Sequence, residues 1–153
     1  MSRPAFNLSD ITDLDPRDAA ARLAANQRNE RGWLDEFAES LDRHRAGQSF
    51  ARVLTVWDLS QSEAARHFGV SRQALSKWLD HGVPAERTEA IADLAAATDL
   101  LVHYLKRDRI PAVVRRPVTE LENRSLLDLL AAGETRTLLY ACRDMFHFEQ
   151  AQH

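Results

Sequence analysis

The sequence predicts an all-α protein, and three observations carry that reading. Apolar residues recur at three- and four-residue intervals through most of the chain. Ala, Leu, Arg, Asp and Glu are plentiful while Gly and Pro number only five each, a composition that favours helices over turn-rich β structure. Two-residue alternation is confined to one short candidate, residues 112–116.

The elements follow in order. Residues 1–15 are expected to be frayed or loosely docked. At Asp15-Pro16 a helix can start, since Asp can cap and Pro suits the first helical position, and Ala19, Ala20, Leu23 and Ala24 form a weak stripe. After Arg31-Gly32 a second helix carries Trp33, Leu34, Phe37, Ala38 and Leu41 on one face and is expected to stop at Gly47. That stripe suits core or dimer packing, with a dedicated partner site as the rival reading. A third helix over residues 49–58 places Phe50, Val53, Leu54 and Trp57 inward. Ser60-Gln61-Ser62-Glu63 has the form of a capping box. It opens a short helix that ends at Gly69, and another helix runs from Ser71 to His81-Gly82. A long helix is predicted over residues 84–107, ended by Pro111, followed by helices over residues 117–131 and 134–148 with Ala132-Gly133 between them.

The chain of 153 residues suits one domain or two small ones and can bury a real core, roughly 68–70% of its unfolded surface. Three segments are expected: an N-terminal helical extension (1–48), a central segment (49–108) and a C-terminal segment (109–153). The single cysteine, Cys142, excludes an internal disulfide or a cysteine zinc cluster, and its apolar neighbours suggest a buried thiol. Residues 1–18 lack the apolar run of a signal peptide, and no stretch reaches 18 apolar residues, so a cytoplasmic protein without a membrane span is expected. Six dispersed histidines form no ligand pattern, and the glycines are scattered singly. No Ser/His/acid set stands out. No metal, cofactor, catalytic residue or small-molecule substrate is therefore expected, and the chain does not read as an enzyme.

The net charge is −3, with 20 basic and 23 acidic side chains. Residues 49–82 alone are net positive, with 4 basic against 3 acidic side chains. That segment holds a complete helix-turn-helix pattern. Ala65 is small enough for two helices to cross, Gly69 tolerates positive φ at the turn, and Ala64, Phe68, Val70, Leu75 and Trp78 occupy the inward positions. The remaining outer face of the second helix is Ser71, Arg72, Gln73, Ser76 and Lys77, hydrogen-bonding groups with no acid among them. In a major groove Arg can pair with guanine and Gln with adenine, while Lys77 suits phosphate. Gln61 and Ser62 open the first helix, where a phosphate can meet backbone N–H groups. The competing reading is an ordinary solvated helix face.

With Leu59-Ser60-Gln61, Gly69-Val70-Ser71, Trp78, Gly82 and Pro84, residues 50–105 resemble the Cro/Xre (lambda-repressor-like) helix-turn-helix group. Downstream, Pro117, Leu121, Asp128, Leu129, Gly133 and Glu134 are similar to the C-terminal domain of Xre/MbcA/ParS-type antitoxins. This sequence departs from that pattern at Leu126, near which a proline is usual, and at Val118, where Asn is common. The resemblance implies a homodimer formed through the C-terminal domain, a RES-type NAD-degrading toxin as partner, and repression of the chain's own operon through double-stranded operator DNA. The residues it points to for toxin binding or dimerisation are Leu121, Leu129, Gly133, Glu134, Met145, Phe146 and Phe148. The last three read as an exposed apolar tail able to plug a cleft, unless they fold back on their own core. A dimeric helix-turn-helix repressor with no toxin partner is the alternative.

Overall fold

A computed structural model describes residues 15–29 and 31–151, apart from the side chains of residues 25–29, 31 and 148–151. Among the described residues it holds eight α-helices and no strand, only an isolated bridge between Val118 and Arg124. The fold is all-α, as the spacing of the apolar residues predicts. The chain divides into two compact units between Glu39 and Ser40.

In the first unit, α1 (Pro16–Asn29) starts as expected. The Asp15 carboxylate accepts the Arg17 N–H at 3.0 Å, and Pro16 occupies the first helical position, where its missing N–H has no partner to lose. Trp33 and Phe37 stack at 5.5 Å with their rings 7° apart, yet remain 41% and 50% exposed.

Helix α2 (Arg31–Trp57) runs through Gly47, where the sequence suggested a stop between two helices. The glycine serves a different purpose: a Cβ placed there would lie 2.8 Å from the Trp78 carbonyl oxygen. The residue is missing a side chain because another helix end fills that space. α2 ends at Asp58, in the left-handed region at φ 55°, with Asp58 N–H bonded to Thr55 O and Leu59 N–H to Leu54 O. That pair of bonds is a Schellman closure.

Helices α3 (Gln61–Phe68) and α4 (Arg72–His81) follow the predicted bounds. Beyond one 3-10 turn, Ala85–Arg87, α5 spans Thr88–Tyr104, shorter than residues 84–107. Residues 112–116, the candidate for alternation, belong mostly to α6 (Ile110–Arg115). Pro111 sits in the first turn of that helix, where proline is tolerated, and so opens a helix there. The predicted helix over residues 117–131 forms only in its second half. Thr119–Leu121 is a 3-10 turn, Glu122 and Asn123 take positive φ, and Val118 N–H bonds Arg124 O at 3.0 Å. A capping box then starts α7 (Leu126–Ala131): Ser125 Oγ accepts Asp128 N–H, and Asp128 Oδ2 accepts Ser125 N–H at 2.8 Å. α8 is Thr135–Ala151.

One hydrophobic cluster extends from Phe50 to Phe146, with Trp57, Leu75, Ile91, Leu94, Leu101, Ile110, Leu126, Leu129 and Leu138 among its fully buried members. α5 packs along α8, α3 against α4 and α7, and α7 against α8. Among the described residues the buried side-chain polar atoms are satisfied: Trp57 Nε1–H donates to Thr98 Oγ1 at 3.0 Å, and that hydroxyl donates to Leu94 O at 2.7 Å.

Candidate nucleic-acid interface

Helices α3 and α4 and the turn between them are built by local rules. Ser60 Oγ accepts Glu63 N–H at 3.1 Å while Glu63 Oε2 accepts Ser60 N–H at 3.3 Å, which starts α3. Gly69, at φ 65° and ψ 33°, closes it, and Val70 N–H reaches Ala65 O at 3.0 Å. A β-carbon in that conformation costs about 1–2 kcal/mol, so the turn prefers glycine. Ser71 Oγ then accepts Ala74 N–H at 3.0 Å and starts α4.

Beneath the motif, Phe50, Phe68 and Trp78 form an aromatic trio with centroids 5.1, 5.8 and 6.1 Å apart, and the Phe68 ring meets both others close to edge-on. Such contacts add about 0.5–1.5 kcal/mol per pair beyond burial. Leu75 is wholly buried beside them. Arg87 was not singled out by the sequence. Its guanidinium lies 5.5 Å from the Trp78 ring centroid, and its Nη1 donates to Phe68 O at 3.5 Å. It joins the ends of both helices of the motif to the segment that follows. Only folding brings residues 68, 78 and 87 together.

Arg72, Gln73 and Lys77 are exposed, Ser76 is half-buried, and Gln61, Ser62 and Ser71 are exposed. Arg72, Gln73, Ser76 and Lys77 share one side of α4, and the first acid along the helix is Asp80, near its far end. No carboxylate among the described residues pairs with Arg72 or Lys77. The Ser71 hydroxyl is already engaged as the cap. Within α3, burial and then the Arg66 charge lower the pKa of His67, favouring its neutral form.

A second polar anchor escaped the sequence reading. Arg115 Nη1 donates to Trp57 O and Pro111 O, and Nη2 to Asp58 O, each at 2.8 Å. One guanidinium thereby satisfies the open carbonyls at the end of α2 and ties α6 to the segment that leads into α3.

The C-terminal candidates divide. Leu129 is fully buried in the core, so it has no free surface in this chain. Phe146 corrects the expectation of an exposed apolar tail: it is 6% exposed and stacks on Tyr104 at 4.5 Å, because α8 folds back along α5. The side chain of Phe148 lies outside the described residues. Gly133, at φ 76°, forms the turn into α8, and Glu134 pairs with Arg124. Leu121 and Met145 are half-buried and, with Val118, Ala141, Glu120 and Asp144, line a groove of about 350 Å³. Cys142 is buried, which pushes its thiol up to about 12 and keeps it protonated. No helix among the described residues is long and apolar enough to cross a membrane.

No protein-family model matches the chain, and no curated protein matches it. Among solved structures it is similar to the crystal structure of the M. tuberculosis MbcT-MbcA toxin-antitoxin complex, with a TM-score of 0.53 and 23% identity over 65% of this chain and 91% of that one. At this identity the likeness concerns the fold.

Proposed function

We propose that this chain is an antitoxin that also binds DNA. It neutralises a RES-type NAD-degrading toxin by direct contact and, as a homodimer in the cytoplasm, represses its own operon. The observation that carries the toxin half is the fold shared with a chain of a toxin-antitoxin complex. The DNA half rests on the geometry of α4, which presents Arg72, Gln73 and Lys77 to solvent over the sealed base of Leu75 and Trp78. An arginine and an amide at the start of such a helix have the donor and acceptor geometry to read purine edges in the major groove.

On this reading the groove at Leu121 and Met145 is the surface left for a toxin or a second protomer, while Gly133 and Glu134 shape the turn into α8. The burial of Leu129 and Phe146 favours one rival, a dimeric repressor with no toxin partner, since it withdraws two apolar side chains from the toxin surface. Co-expression with the product of a neighbouring RES-domain gene separates the two. An antitoxin restores growth and co-purifies with the toxin. A plain regulator does neither, yet still shifts promoter DNA in a gel.

A further inference from the structure

The last turn of α4 is seated directly against the backbone of α2, and two glycines make that possible. Gly82 takes φ +109°, and a Cβ there would lie 3.0 Å from the Arg43 carbonyl carbon and 3.2 Å from Arg43 Cβ. One turn further along α2, a Cβ at Gly47 would lie 2.8 Å from Trp78 O. Val83 N–H completes the junction by donating to Arg43 O at 3.1 Å. Arg43 is thus fixed at the end of α4, where Lys77 and His81 stand one turn apart and exposed, with exposed Asp80 beside His81. The Arg43 side chain is itself exposed, and no carboxylate among the described residues pairs with Arg43 or Lys77. Asp42 and Arg45 lie elsewhere on α2, lining a groove with Ser49 and Thr88 on the side of α5.

We propose that Arg43 binds a backbone phosphate of double-stranded DNA, making the α2–α4 junction with Lys77 a second, sequence-independent part of the interface. The proposal rests on the DNA-binding reading above and extends it to a helix outside the helix-turn-helix. A planar guanidinium offers two parallel donors to a phosphate, and each neutralised phosphate releases counterions. The start of α4 reads bases, and the junction at its other end grips the strand. A chain of net charge −3 needs unpaired cations on the face that meets a polyanion.

The test measures binding of the full-length chain to two duplexes across a salt series: the promoter region upstream of its own gene, and a scrambled duplex of equal length. Arg43→Ala is expected to weaken both by the same factor, roughly eightfold at ~0.1 M salt, and to flatten the log–log salt slope by about 0.9 for each phosphate no longer neutralised. Arg43→Lys should keep most of the slope, and Arg45→Ala should leave it unchanged. Wild-type binding with an unaltered slope in Arg43→Ala overturns the proposal, as does an equal loss in Arg45→Ala. A wild-type chain that binds neither duplex overturns both the proposal and the DNA-binding reading beneath it.

Discussion

Among the described residues, no hydrogen bond or ion pair gives Arg72 or Gln73 a structural task that competes with recognition. Ser71 beside them is spent on the cap of α4, and Arg87 on the Trp78 ring and the Phe68 carbonyl. Arg72→Ala is therefore expected to lower affinity for the operator by about 1–3 kcal/mol, the worth of a good bidentate base contact, while toxin neutralisation persists. A mobility shift with unchanged operator affinity would remove Arg72 as a reader. Gly47 makes the opposite point about a residue that looks like punctuation. Its helical backbone suits any amino acid, but an added methyl would press on Trp78 O. Gly47→Ala should destabilise the chain by about 1–3 kcal/mol, the usual cost of overpacking, measurable by urea unfolding.

At the level of elements, helix ends obey short-range chemistry, and helix faces obey whatever lies across from them. The capping box of α7 holds the Asp128 carboxyl below its usual range, chiefly through its hydrogen bonds from Ser125. A carboxyl depressed in the folded chain contributes stability that is present above the unfolded value of 3.8 and lost as pH falls through the lower folded value. Acid unfolding monitored by circular dichroism should show this contribution disappearing below about pH 4, and Asp128→Asn should flatten that part of the profile. α8 gives the second prediction at this scale. Because Phe146 is packed on Tyr104, Phe146→Ala should cost about 3–5 kcal/mol of folding stability. A side chain kept free to enter a partner would cost almost nothing, so a thermal melt distinguishes a structural from a plugging role.

For the whole molecule, the expected readout is symmetry. A dimer with one α4 per protomer should protect two half-sites separated by about 34–36 Å or a multiple of that, since one helical turn separates equivalent groove faces. A single asymmetric footprint would count against it. The short helices α3 and α4 and the turn between them were legible in the chain because their rules span a few residues: Ser60 with Glu63, Gly69 at the turn, Ser71 at the cap, and Leu75 with Trp78 on one face. The same locality made Cys142 readable as buried. The continuity of α2 through Gly47, the Arg87 and Arg115 anchors and the inward turn of Phe146 were not legible. Each depends on a partner far along the chain, Trp78 for Gly47, Trp57 and Asp58 for Arg115, Tyr104 for Phe146. Sequence alone determined the class, the caps and the polar outer face of α4, since hydrogen-bond closure and helical period act between near neighbours. Tertiary structure decided which apolar residues stay exposed and which glycine is pressed against a neighbouring helix, because burial depends on what packs opposite.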